Sequence, residues 1–115
     1  MKTSELTGKV LYWAVAKCEG FSATVDEYGC LILRENVVDR FDPSTNWGWG
    51  GPIIERERVG VEPLGADATW MAQTYNEAGR VLQRQYGPTP LIAAMRCYVA
   101  SKFGKEVAVP EELLK

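Results

Sequence analysis

Residues 41–52, Phe-Asp-Pro-Ser-Thr-Asn-Trp-Gly-Trp-Gly-Gly-Pro, hold the side chains with most to offer chemically: two tryptophans, three glycines and two prolines in a stretch with neither helical nor strand period. The expected assignment is a loop, with Asp42-Pro43-Ser44 suited to starting a turn. Glycines let a backbone approach another group closely, and exposed aromatics supply flat surfaces for stacking. Ser44, Thr45, Asn46, Trp47 and Trp49 are therefore candidate ligand-binding residues. Just beyond them Pro52 can start a helical turn with Ile53 and Ile54 inward and Glu55, Arg56, Glu57 and Arg58 toward water. Arg56 and Arg58 join the candidate site because a guanidinium grips a phosphate or carboxylate in two-pronged fashion. An equally simple reading has Trp47 and Trp49 packed as a lid on the core, with the Glu/Arg alternation a solvated face.

Catalytic patterns are weaker. The glycine run is not GxGxxG and lacks a P-loop lysine, so specific nucleotide-binding motifs are missing. Glu55 and Glu57 as acid-base carboxylates, or Asp39 and Asp42 as hard-metal ligands, come with no recognisable motif. The chain has no histidine, so a Ser-His-Asp triad, a Cys-His pair or a His-ligated zinc would need a second chain. Cys18, Cys30 and Cys97 are odd in number and widely spaced without a CxxC pair, which argues against a disulfide framework or structural zinc and fits a reducing cytoplasm. The expectation is a protein that is not an enzyme and carries no cofactor or metal.

The elements that position these residues follow from periodicity. Thr7 as N-cap, apolar Leu11, Ala14, Val15 and Cys18, and Gly20 as a left-handed stop predict a helix Gly8–Glu19. Trp13 falls off its apolar stripe, between Lys9 and Lys17, either covered by lysine stems or free to touch a partner. From Phe21 the period becomes two, and Glu27-Tyr28-Gly29 separates Phe21, Ala23 and Val25 from Cys30-Leu31-Ile32-Leu33 as a β-hairpin. Val59-Gly60-Val61 and Ala68-Thr69-Trp70-Met71-Ala72 are further short strands, divided by a turn-like Pro63-Leu64-Gly65. Residues 76–86 read as an irregular, mobile connection, since Ala78, Val81 and Leu82 suit a short helix that Gly79 weakens. Thr89 as N-cap, Pro90 at the first helical position and the apolar face Leu91, Ile92, Met95, Tyr98, Val99, Phe103 predict the longest helix, closed by Lys102 and Gly104. Val107 and Val109 suggest a final extended segment before a polar tail at 111–115. The expected architecture is one α+β domain over 1–115: a small antiparallel sheet of three to four strands packed by an N-terminal helix and a longer C-terminal helix.

At 115 residues, 46% hydrophobic and 24% charged, the chain has the composition of a folded globule rather than a disordered one. Thirteen basic against fifteen acidic residues give a net charge of −2, so its surface as a whole supplies no attraction for nucleic acid. No apolar run approaches the ~18 residues of a membrane span, and the first ten residues do not read as a signal peptide.

Several segments are jointly familiar: Leu6-Thr7-Gly8, Trp13-Ala14-Val15-Ala16, Pro43-Ser44-Thr45-Asn46-Trp47, Gly51-Pro52-Ile53-Ile54-Glu55-Arg56 and Gly87-Pro88-Thr89-Pro90-Leu91-Ile92-Ala93-Ala94-Met95-Arg96. The chain resembles, over nearly its whole length, the NinX-like family of small proteins from lambdoid bacteriophages and prophages. That resemblance implies origin and context rather than chemistry: a dispensable phage accessory factor made in the bacterial host cytoplasm, from a region where some neighbouring genes act in recombination.

Three functions are expected in order. The first is non-enzymatic binding of a small anionic or nucleotide-like ligand at the Trp47/Trp49 loop with Arg56 and Arg58, in the service of counter-defence. The second is a protein-interaction module, as a homodimer or on a host or phage enzyme, through exposed tryptophans such as Trp13 and Trp49. The third, a recombination or single-strand DNA accessory factor, rests on Arg34, Arg40, Arg80 and Arg84 and on the implied gene neighbourhood.

Overall fold

The structure, a computed structural model, describes residues 1–114. Thr7 is extended at φ −153° where it leads into α1 (Gly8–Glu19), and Gly20 closes that helix at φ 77°, a backbone turn that suits a residue without Cβ. The chain then forms β1 (Ser22–Asp26) and β2 (Gly29–Arg34), paired antiparallel with Ser22 opposite Leu33 and Asp26 opposite Gly29. A two-residue turn at Glu35 and Asn36, both at positive φ (48° and 68°), folds β3 (Val37–Arg40) back on β2 with Leu33 opposite Val38.

Next comes α2 (Trp47–Glu57), where a loop and a later helical turn are expected from sequence. The helix begins five residues earlier than Pro52 because Asn46 caps it: Asn46 Oδ1 accepts from the Gly48 amide at 2.8 Å, and the Asn46 carbonyl accepts from Trp49 and Gly50. Gly50 serves close packing, since a Cβ there would collide with the Pro43 carbonyl oxygen and lie 2.6 Å from Leu91 Cδ2. Packing at an interhelix contact thus overrides the poor helix propensity of the Gly-rich run.

The second half holds β4 (Gly60–Leu64), β5 (Thr69–Tyr75) and β6 (Val81–Gly87), again antiparallel, followed by α3 (Pro90–Phe103). Pro63 and Leu64 lie within β4 rather than in a turn. Residues 81–87 form a strand, not an irregular connection, because Asn76 Oδ1 accepts from the amides of Ala78 and Arg80 and pins a tight turn with Gly79 at φ 80°. The α+β class with a long C-terminal helix is as expected, and the strands divide into two three-stranded sheets, β1-β2-β3 and β4-β5-β6.

The helix α3 is the hub. Thr89 Oγ1 caps it through the Ile92 amide at 3.1 Å, and Leu91, Ala93, Ala94, Met95, Cys97, Tyr98, Val99 and Ala100 are buried. It packs across β5 and β6, while α1 bridges α3 to β1 and β2. Gly87 permits the close approach of β6, as a Cβ there would lie 2.8 Å from the Ala93 nitrogen. Arg96, half-buried, ties the layers by donating to the carbonyls of Leu6 (2.7 Å) and Tyr86 (2.8 Å). Phe103, expected on the apolar face, is exposed at the helix end. Val107 pairs with Met1 through reciprocal backbone bonds. Residues 111–114 form a short 3-10 turn, and Lys115 of the expected polar tail lies outside the described residues.

Candidate functional site

The two tryptophans of α2 differ in surroundings. Trp49 is half-buried: its ring meets Phe41 edge-on at 5.2 Å, its indole N–H donates to the Arg40 carbonyl at 3.0 Å, and the Arg34 guanidinium lies 4.8 Å over its face. Arg34 in turn pairs with Asp39 at 3.2 Å. Trp49 is therefore a wedge between α2 and the first sheet, with little face left for stacking a ligand. Trp47, in the first turn of α2, keeps 57% of its surface exposed. Of its neighbours, Ser44 is buried, Thr45 shares a 3.0 Å hydrogen bond with the Tyr12 hydroxyl, and Asn46 is engaged as the cap.

Arg56 grips a carboxylate as a two-pronged guanidinium should, but the carboxylate belongs to the protein. Its Nη1 donates to Glu19 Oε1 at 3.1 Å and its Nη2 to Glu19 Oε2 at 2.6 Å, with Nε donating to Glu57 Oε2 at 2.8 Å. The Tyr98 hydroxyl also donates to Glu19 Oε2, and Lys102 Nζ stands 3.5 Å from Glu57 Oε1. These side chains join the end of α1 to α2 and α3. Burial pushes the Glu19 carboxyl up, yet the Arg56 and Tyr98 hydrogen bonds and the charges of Arg56 and Lys102 outweigh it and hold the group below its ordinary value. The Glu19 and Glu57 hydrogen bonds hold Arg56 more firmly protonated than usual.

Arg58 caps α2 in a left-handed conformation, φ 55°, and, outside the ion pairs of that cluster, lines an open cleft of ~810 Å³ that Glu57 also borders. Glu55, Glu57 and Glu77 share the lining with Tyr75, so carboxylates outnumber the one arginine. An anion is poorly served there. The structure thus sets Trp49 against the first sheet, Arg56 against Glu19 and Arg58 in the cleft, and the seven candidate residues do not converge on one enclosed pocket.

The remaining candidates are also dispersed. Arg34 and Arg40 belong to the first sheet, whereas Arg84 lies on β6, donating to Gln73 Oε1 at 3.1 Å, and Arg80 in the turn before it. Trp13 is half-buried, lining a small opening with Ala23 and Val25 on one side and Pro110 and Leu113 on the other. Burial, aided by the Glu19 charge, pushes the Cys18 thiol up to about 12, and burial pushes Cys30 and Cys97 up to about 11, settings that suppress a nucleophilic thiolate. Among the described residues no group of three metal-ligating side chains forms. Among the described residues no helix is long and apolar enough to cross a membrane.

One surface lies outside the residues to which the sequence points. The inner face of the first sheet presents Ala23, Cys30 and Ile32 to the core, and its outer face carries Leu31, Leu33 and Val38. Leu33 and Val38, directly opposite one another, are 51% and 62% exposed, and with Ser22, Thr24 and Leu31 they edge a shallow depression of ~320 Å³. The signal was present in Cys30-Leu31-Ile32-Leu33, an unbroken apolar run where a strand with one wet face should alternate.

Compared with known proteins, the chain matches a family model described as Bacteriophage P22, NinX over residues 2–102. No curated protein matches it.

Proposed function

The chain belongs to the bacteriophage P22 NinX family and is a phage accessory protein; from that premise we propose that it acts without catalysis, by protein contact, through the outer face of its first sheet. The observation that carries this reading is the Leu33/Val38 pair, two large apolar side chains side by side on a sheet face and more than half exposed. Scattered apolar side chains are ordinary on a surface, but a pair aligned across strands and continued by Leu31 makes a contiguous patch of the kind that contacts use. Trp47 on α2, at 57% exposure, is a separate exposed aromatic of the type enriched at interfaces. The site of action is the host cytoplasm, in keeping with three unpaired cysteines.

The rival is an anionic or nucleotide-like ligand at Trp47 with Arg56 and Arg58. Its support is reduced because the Arg56 fork is engaged by Glu19 and Glu57. Native mass spectrometry on protein purified gently from bacterial cytoplasm separates the two. Masses of the bare chain or of protein assemblies are expected. A noncovalent excess of a few hundred daltons, lost on denaturation and lost in Trp47→Ala, would overturn the contact reading in favour of the ligand.

A further inference from the structure

The strand β3 is one of the two edge strands of the first sheet, β1 being the other. The Phe41 amide donates to the Cys30 carbonyl at 2.8 Å, so those residues form a bonded pair. The alternation of an antiparallel ladder then makes Ile32 with Asp39 and Arg34 with Val37 bonded pairs, and turns the N–H and C=O of Val38 and Arg40 away from β2. The Arg40 carbonyl is taken by the indole of Trp49. Val38 therefore presents both of its backbone groups at the edge, beside its own exposed side chain. The strand carries no proline or lysine, and of its two charged residues Asp39 is paired with Arg34 at 3.2 Å, so the edge at Val38 is a template for another strand.

Resting on the protein-contact reading above, we infer that this edge pairs antiparallel with β3 of a second copy about a twofold axis at Val38, joining two sheets into one of six strands. Charge and the extent of the strand select that register. Side chains opposite one another must lie on the same sheet face, so the twofold passes through one residue of β3. An axis at Val37 leaves Val38 opposite Asn36, a turn residue at φ 68° outside the strand, one at Asp39 sets two aspartates face to face, and one at Arg40 does the same with two arginines. Like charges directly opposite destabilise a pair. An axis at Val38 sets Val38 against Val38 and Val37 against Asp39, keeping the pairing within the strand and opposing no like charges. In that register each Val38 N–H donates to the Val38 carbonyl of the other copy, and the outer face gains a continuous stripe of Leu33, Val38, Val38 and Leu33. Four residues from each strand make a contact below the ~1,200 Å² of a standard interface, so association should be weak and concentration-dependent.

Sedimentation velocity tests it with the full chain. The wild type is expected to shift from monomer toward dimer as concentration rises to about 1 mM. Val38→Asp and Val38→Lys, each placing like charges on the axis, should both remain monomeric with unchanged thermal melts, and mixing the two variants in equal amounts should restore a dimer. A wild type that stays monomeric, single variants that dimerise like it, or a mixture that fails to associate would each overturn the inference. If the wild type is monomeric while a photo-crosslinker at position 33 captures a different protein, the second copy is refuted and the contact surface stands. If that position captures nothing, both fall.

Discussion

Arg56 holds Glu19 with both terminal guanidinium nitrogens, at 3.1 and 2.6 Å, although the two residues are the penultimate position of α2 and the last of α1. The Glu19 side chain is only 12% exposed, so removing its partner strands a carboxylate in a poorly solvated place. Arg56 itself is half exposed, and solvent screens part of the attraction. Arg56→Ala should therefore cost about 1–2 kcal/mol in urea unfolding at neutral pH, without loss of the fold.

The same pair sets an acid dependence. Because Glu19 is held below its ordinary value in the folded state, its contribution is present above the unfolded carboxylate value and is lost as pH falls through the folded one. Urea midpoints measured from neutral pH down through the carboxylate range should fall more steeply for the wild type than for Glu19→Gln. Parallel declines would show that the pair adds nothing.

Two adjacent glycines of α2 should respond oppositely. Gly50→Ala drives a methyl into the Pro43 carbonyl and Leu91, and should destabilise by about 2–3 kcal/mol. Gly51→Ala meets only Trp47 Cε3, at 3.9 Å, and should stabilise by roughly 0.5–1 kcal/mol through helix propensity. Thermal melts of the two variants provide the check.

The turn between β2 and β3 places Glu35 at φ 48°, a region that a glutamate occupies at a cost. The double change Glu35→Asn with Asn36→Gly installs the residues such turns favour and should raise stability by about 0.5–1 kcal/mol, read from the thermal midpoint.

Trp49→Ala and Trp47→Ala should also part company. The first removes a ring packed on Phe41 and hydrogen-bonded to Arg40, and should cost about 2–4 kcal/mol. The second removes a ring that is mostly in water and should leave the melt within about 0.5 kcal/mol.

Where local signals agreed, the fold was legible. Gly20, Thr89, Pro90 and Gly104 bracket α1 and α3 as their capping chemistry dictates, Thr7 precedes α1 without a side-chain cap, and the Glu27-Tyr28 turn joins β1 to β2, with Gly29 already in the strand. Residues 47–51 misled because their glycines answer to a close approach between α2, Pro43 and Leu91, a tertiary cause that periodicity does not carry. Residues 81–87 misled because β6 inverts the usual pattern: Leu82 and Tyr86 face water while Gln83 and Gln85 are half-buried. For the site, the sequence offers Arg56 as a grip for the phosphate or carboxylate of a ligand, whereas in the structure its fork holds Glu19, 37 positions away in α1 and beyond the reach of spacing. The apolar outer face was written in the unbroken run 30–33, yet only the register with Val38 shows that the run forms a patch.

Site-specific photo-crosslinking in bacteria expressing the chain reads whether the outer face of the first sheet touches protein. With a photoreactive residue in place of Leu33, a protein adduct is predicted, abolished by Val38→Asp, while the same residue in place of the exposed Glu62 on β4 gives none. No adduct at position 33, or equal adducts at 33 and 62, would contradict the account.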